Sequence, residues 1–285
     1  MDEGRMNTPY YKTDTTTLLK GDSLELLKEM EDNSIDLIFA DPPYFLSNDG
    51  ISCKSGKMVS VNKGDWDKSN SDFQIDEFNR RWLSLIRNSM KDKSTIWVSG
   101  TSHNIFSIGQ VLTELGFKIL NIITWEKTNP PPNFSCRSFT HSTEQIIWAR
   151  KEKKVPHHYN YKLMKELNQN KQMKDVWRLP AIAKWEKSCG KHPTQKPLSL
   201  LTRIILSSTN TGDYVLDPFT GSSTTGISAN LLKRNFTGID SNEEYLKLSK
   251  DRKHELENNS VSSEYISKIR GFEVGQLQGI IDQKI

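Results

Sequence analysis

The run Val215-Leu216-Asp217-Pro218-Phe219-Thr220-Gly221-Ser222-Ser223-Thr224-Thr225-Gly226 has the composition of a ligand cradle: a strand that ends in a carboxylate, a loop of small residues, then a helix start. Small side chains let a ligand approach the backbone closely, and a helix N-terminus offers unpaired N–H groups to an anionic group. A nucleoside triphosphate is excluded, because Ile227 stands where a phosphate-binding P-loop requires Lys. The next strand ends at Asp240, 23 residues after Asp217, an offset suited to accepting hydrogen bonds from ribose hydroxyls. Read alone, the same run is also a Gly/Ser turn with a helix cap.

A second candidate is Asp41-Pro42-Pro43-Tyr44, which closes the apolar run Ser34–Ala40. A carboxylate oxygen and a proline carbonyl, held rigidly, are two acceptors for the N–H groups of an exocyclic amine. Proline removes competing backbone donors and stiffens the loop, and Tyr44 supplies a stacking face. By itself this tetrapeptide is equally a plain turn.

These residues need strand ends and helix starts to position them. Ser34–Ala40 reads as a buried strand, preceded by a short helix from Asp22 to Met30 with Gly21-Asp22 as its entry turn. Phe45–Asn70 lacks periodicity and reads as a long loop. Helices are expected around Phe78–Ile86 and Ile108–Leu115, the second stopped by Gly116, with strands at Thr95–Ser99, Ile119–Trp125 and Gln145–Ala149. After a break at 150–191 the alternation resumes: a helix at Pro197–Ser208, a strand at Tyr214–Leu216, a helix at Thr225–Lys233 and a strand at Phe236–Ile239. Such alternation predicts an α/β fold, a mostly parallel sheet with helices on both faces. The tail after Asn258 is polar, then weakly apolar, and receives no assignment.

The chain has 285 residues, 39 Lys+Arg and 35 Asp+Glu, for a net charge of +4. Segment 150–191 carries 12 Lys/Arg against 4 Asp/Glu, a net of +8, which leaves −4 for the remainder. A basic block within a near-neutral body suits an electrostatic landing site for a polyanion, and equally a solvated lysine-rich surface. No run approaches the roughly 20 apolar residues of a membrane span. The opening residues do not read as a signal peptide, and three widely spaced cysteines suit a reducing cytoplasm. No His/Cys pattern has metal spacing; His157-His158 reads as surface, the cysteines as buried or inert, and Trp82 and Trp97 as core.

Asp41-Pro42-Pro43-Tyr44, His192-Pro193-Thr194-Gln195-Lys196-Pro197 and Asp217-Pro218-Phe219-Thr220-Gly221-Ser222, in that order, resemble the amino-methyltransferases of DNA that use S-adenosylmethionine, in the permuted order of the β class. The resemblance spans about Gly21 to Leu256 and departs at Ser223, where the family usually has Gly; a slightly tighter loop with cofactor binding retained is the expectation. It implies a Rossmann-like methyltransferase fold with its catalytic half at 1–149, a target-recognition insert at 150–191, its cofactor half at 192–257, and a tail of unassigned role at 258–285. Phe45-Leu46-Ser47-Asn48, Gly64-Asp65-Trp66-Asp67, Thr128-Asn129-Pro130 and His141-Ser142-Thr143-Glu144 further resemble GATC-specific adenine methylases of restriction–modification systems.

By that resemblance Asp217, Phe219, Gly221, Ser222, Ser223 and Thr224 shape the cofactor pocket. Asp240 holds the ribose and Asp22 lies near the adenine of the cofactor. His192, Thr194 and Lys196 approach its methionine end, Lys196 as partner of its carboxylate, with Asp41 bordering the same pocket. Asp41 and the Pro42 carbonyl, followed by Pro43, orient the target amine and Tyr44 stacks on a base flipped out of the duplex or already single-stranded. No metal is called for. Asp before Pro-Pro usually accompanies adenine and Ser cytosine N4, so adenine is favoured, with cytosine-N4 methylation the alternative. A methyltransferase acting on something other than DNA and an inactive DNA-binding relative are remoter readings. Lys151, Lys153, Lys154, Lys162, Lys165, Lys174 and Arg178 are expected on DNA phosphates, and Trp66, Lys127, Asn133 and Arg137 are further candidates for DNA contact. DNA is thus the expected partner. A homodimer is expected from β-class relatives, and a cognate endonuclease is expected as a functional but not a bound partner.

Overall fold

The computed structural model describes residues 8–43, 51–54, 57–60, 72–133, 136–257, 259–269, 271–272 and 276–284. Tyr44 and Trp66 lie outside them.

The chain runs β1 (Tyr11–Lys12), β2 (Thr16–Lys20), α1 (Ser23–Leu26), β3 (Ile35–Ala40), β4 (Ile51–Lys54), β5 (Lys57–Ser60), α2 (Asp72–Ser89), β6 (Met90–Gly100), α3 (Ile105–Glu114), β7 (Lys118–Lys127) and β8 (Thr143–Arg150). It continues through α4 (Tyr161–Leu167), β9 (Val176–Leu179), α5 (Leu198–Ser208), β10 (Tyr214–Asp217), α6 (Thr224–Leu231), β11 (Asn235–Asp240), α7 (Glu243–Leu256), α8 (Asn259–Lys268) and α9 (Gln276–Lys284). Nine strands form one sheet in the order β1-β2-β11-β10-β3-β6-β8-β7-β9. Pairing is parallel from β2 to β6 and between β7 and β9; β8 runs against both its neighbours.

Strand alternation sorts the core into two layers. Leu37, Phe39, Trp97, Ile146, Trp148 and Val215 face the layer that also contains buried residues of α4 to α9. Ile38, Ala40, Ile96, Val98, Ile147 and Leu216 face the layer that contains those of α1 to α3. Both faces are therefore covered, which is why the central strands read as continuous apolar runs. Trp82 and Trp97 are core, as expected.

Three expectations change, and the unassigned tail acquires a place. Within the expected 45–70 loop, β4 and β5 pair as an antiparallel hairpin. The basic segment 150–191 is built into the main sheet, since β9 pairs with β7 and Trp97 packs against both Trp148 (4.8 Å, stacked) and Trp177. Asn160 ties it to α5 by donating to the carbonyls of Leu206 and Thr209 at 2.7 and 2.9 Å. The tail is structural: Tyr265, Ile266, Ile269, Leu277 and Ile281 are buried, and Arg203 donates to the Gly271 carbonyl. Finally, His157 is half-buried against the edge of Trp148, while Cys136 is exposed. Cys189 is not fully buried either. It is half-buried, and desolvation together with Glu255 pushes its thiol up to about 11.

Candidate active site

The carboxyl ends of β2, β11, β10 and β3 lie side by side, so Asp22, Asp240, Asp217 and Asp41 converge although they are far apart in sequence. From β10 the chain proceeds by α6 to β11 on one side, while from β3 it proceeds to β6 on the other. The crevice at such a reversal is where open α/β sheets bind ligands. Here it is a cavity of about 300 Å³.

Each wall has a local cause. Asp22 caps α1, accepting from the N–H groups of Leu24 (2.8 Å) and Glu25 (3.2 Å). Ser23 Oγ donates to the Pro218 carbonyl at 2.5 Å, joining this turn to the cofactor-type loop. Asp217 accepts from Phe219 N (3.0 Å) and Thr225 Oγ1 (2.5 Å), bracing the loop from within. Asp240 accepts from the N–H groups of Gly221 (2.9 Å) and Asn242 (2.8 Å). Burial pushes the Asp217 carboxyl up to about 7, aided by the negative charges of Asp41 and Asp240 against its hydrogen bonds. Burial also raises Asp240.

Gly221 has φ +51°, and a Cβ there would meet His192 Nε2 at 2.9 Å, so only glycine admits the imidazole over the loop. Ser223 is left-handed too, at φ 52° and ψ 39°, which explains why glycine is the commoner residue there. Its hydroxyl is 2.9 Å from that of Thr220. Beneath the loop, Arg252 of α7 donates to the Ser222 carbonyl (2.5 Å) and Thr224 Oγ1 (3.0 Å). Phe219 presents its ring to the edge of Trp82 at 5.4 Å, fixing it at the cavity wall.

Of the residues expected at the site, Asp22, Asp41, Pro42, Pro43, His192, Thr194, Lys196, Asp217, Phe219, Gly221, Ser222, Thr224 and Asp240 all line the cavity. Ser223 supports it from behind. Lys196 differs from expectation in its partners: its Nζ lies 2.5 Å from Asp41 Oδ2 and 3.5 Å from Glu144, so the ammonium serves protein carboxylates. Sequence reading missed Tyr245, whose ring meets His192 at 4.3 Å, and Arg252 and Glu144. Neither Tyr245 nor Arg252 lies in a motif; each reaches the site only because α7 folds back onto the loop.

The expected DNA contacts disperse. Lys151 is a correction: it is buried, and its Nζ donates to the Met90 carbonyl (2.6 Å) and Asn33 (3.1 Å), so its ammonium is turned inward rather than toward a phosphate. Exposed Lys153 and Lys154 follow Arg150, which pairs with Thr95 at the far end of the sheet. Five residues of β6 separate Thr95 from the catalytic edge, about 16 Å at about 3.3 Å per residue. Lys162 is exposed and Lys165 half-buried on α4, and Lys174 is exposed before β9. Arg178 does reach the catalytic end, opposite Glu126, which it approaches to 3.2 Å. Lys127 pairs with Glu144 at 2.6 Å. Between them, in the loop from β7 to β8, Asn133 donates to Ser138 and Arg137 is exposed.

The carboxylates at strand ends, the glycine-bearing loop and the flanking helix N-terminus define a pocket for an adenosyl compound. Gln195 in its wall donates its Nε2 to the Glu186 carbonyl at 2.8 Å, and its buried Oε1 has no donor among the described residues. Residues 35–251 match the family described as DNA methylase, and the chain belongs to that family. It is 58% identical over 264 residues to the Type II methyltransferase M2.MboI of Moraxella bovis, covering 92% of this chain and 96% of that one. It is also 58% identical over 248 residues to M2.DpnII of Streptococcus pneumoniae, covering 87% and 92%. Among solved structures it resembles the M1.HpyAVI–SAM complex, with TM-score 0.63, 28% identity, and coverage of 83% of this chain and 98% of that one. The protein is a DNA methyltransferase, and its cofactor is S-adenosylmethionine.

Proposed function

We propose that the protein methylates the N6 amino group of adenine within GATC, as the modification enzyme of a restriction–modification system. The observation that carries this is Asp41 at the end of β3, across the cavity from Asp217 and Asp240, in the Asp-Pro-Pro setting that accompanies adenine. Kinship with Type II methyltransferases supports the rest.

When bound, S-adenosylmethionine supplies an electrophilic methyl on a sulfonium. The chain then has three tasks. Asp240 and Asp22 offer acceptors to the ribose and adenine of the cofactor, and His192, Thr194 and Gln195 border its other end. Asp41 and the Pro42 carbonyl accept the two amine hydrogens and orient the nitrogen toward the methyl, so positioning supplies much of the rate. As the N–C bond forms and the S–C bond breaks with its electron pair left on sulfur, the nitrogen becomes positive and the Asp41 carboxylate binds it more strongly, which lowers the barrier specifically in the transition state; the surplus amine proton then leaves to solvent. The adenine reaches this edge by leaving the duplex stack, or from a single strand, and Tyr44 stacks upon it. Arg178, Asn133 and Arg137 meet the DNA near the catalytic edge, while the amino-end lysines meet it only if it extends down the side of the sheet. The enzyme works in the cytoplasm, as a homodimer, alongside an endonuclease it does not bind.

Incubation with labelled S-adenosylmethionine and GATC-containing DNA is expected to yield N6-methyladenine, with Asp41→Ala retaining cofactor binding but losing turnover. N4-methylcytosine as the sole product, or full turnover by Asp41→Ala, overturns the assignment.

A further inference from the structure

Lys127, Glu144, Lys196 and Asp41 form a line of alternating charge that ends at the catalytic edge. Successive nitrogen–oxygen distances are 2.6, 3.5 and 2.5 Å. The four come from separate places: the end of β7, the start of β8, the approach to α5 and the end of β3. The side chains of Lys196, Glu144 and Asp41 are only 7, 13 and 14% exposed. An ammonium buried so deeply requires a carboxylate partner, but Asp41 alone would neutralise it. The second carboxylate and the second lysine are surplus to charge balance. They make sense if Lys196 must be shared.

We propose that Glu144 is a positioning residue for methyl transfer: by sharing the Lys196 ammonium, it holds that ammonium between two carboxylates and leaves Asp41 acceptor capacity for the target amine. This rests on the reading of Asp41 as the group that orients the amine. Lys196 fixes the carboxylate in place, and Glu144 limits how fully Lys196 neutralises it. Lys127 holds Glu144 from the other side. Desolvation disfavours the charged form of Lys196, but Asp41 and Glu144 outweigh it and hold its pKa above the usual lysine value. Desolvation likewise raises Glu144, and the two lysines outweigh it to leave its pKa low. The charged groups facing Lys196 are thus Asp41 from β3 and Glu144 from β8, with Lys127 of β7 behind Glu144 and Asp217 of β10 behind Asp41.

The test compares the full-length wild type with Glu144→Gln, Lys127→Met and Asp41→Asn on GATC DNA. It measures kcat, KM for S-adenosylmethionine, cofactor binding and the pH dependence of kcat. Glu144→Gln is expected to lower kcat roughly tenfold or more, the scale of one charge-assisted hydrogen bond weakened in the transition state. KM and cofactor binding should be unchanged. Its alkaline limb should move to lower pH, because Lys196 loses one of the two carboxylates that keep it charged. Lys127→Met, which removes a like charge, should move that limb the opposite way, so the signature survives even if Glu144→Gln folds poorly. Unmoved pH profiles in both variants, or a loss confined to cofactor binding and thermal stability, overturn the proposal. Asp41→Asn separates the two levels. Its inactivity with a normal Glu144→Gln refutes only the role of Glu144, whereas its full activity refutes the reading of Asp41 itself.

Discussion

At the scale of single residues, four aspartates divide labour by environment. Asp22 caps α1 through its Oδ1 while lining the cavity, Asp240 holds the loop at Gly221, Asp217 is buried within the β10–α6 turn, and Asp41 meets Lys196. Asp217 has a consequence for stability. Its pKa of about 7 in the fold lies well above the unfolded value of about 3.9, so between those values the folded protein binds the proton more tightly. Its contribution is therefore most favourable in acid, declines as pH rises through that window, and is constant above about 7. The cofactor-free protein should lose stability relative to Asp217→Asn between pH 5 and pH 8, by at most about 3 kcal/mol (the two pKa units between pH 5 and about 7, at 1.36 each). Parallel melting curves for the two proteins across that range would contradict it. Asp41, Asp217 and Asp240 were legible as strand-end carboxylates, and Asp22 as the entry turn of a helix. The partners of Lys196 were not, because Asp41 and Glu144 lie far from it in sequence and nothing in a motif marks an ion pair.

At the scale of elements, the loop between β10 and α6 shows why small residues stand where they do. Gly221 leaves room for His192. Gly226 leaves room for Phe236, which a Cβ would meet at 2.4 Å. Ser223 adopts a left-handed backbone that costs a non-glycine residue about 1 kcal/mol. Its buried hydroxyl contact to Thr220 offsets this by about 1 kcal/mol. Ser223→Gly should accordingly be near neutral. Ser223→Ala keeps the strain and loses the contact, so it should unfold at least ~1 kcal/mol more easily than the glycine variant in denaturant. Equal stabilities for the Ala and Gly variants would remove the strain from the account. Strand and helix positions were readable because apolar residues alternate or recur by turns. The β4–β5 pair, β1, β2, β9, α4 and α7 were not: those strands are only two to five residues long, too short to show a period, α4 spans only 7, and the polar α7 carries few apolar residues.

At the scale of the whole molecule, the +8 segment reads in sequence as one basic surface, but folding distributes it along the height of the sheet. Lys151 is buried against the Met90 carbonyl, Lys153 and Lys154 lie at the amino ends, and Arg178 stands at the catalytic end of β9, with Lys191 next in sequence to His192 of the cavity wall. Charge counting cannot see this, because it carries no information on which end of an antiparallel strand a loop leaves. The tail gave no periodic signal for a similar reason: α8 and α9 pack a few apolar residues each against a core contributed by other segments. The functional reading needs only one edge of this sheet, where cofactor pocket and Asp41 adjoin. Its most direct test is to express the chain in a host lacking adenine methylation and map methylated positions across the genome. N6-methyladenine at GATC sites, absent when Asp41→Ala is expressed, is the predicted result; methylation on cytosine, or on adenine outside GATC, would contradict it.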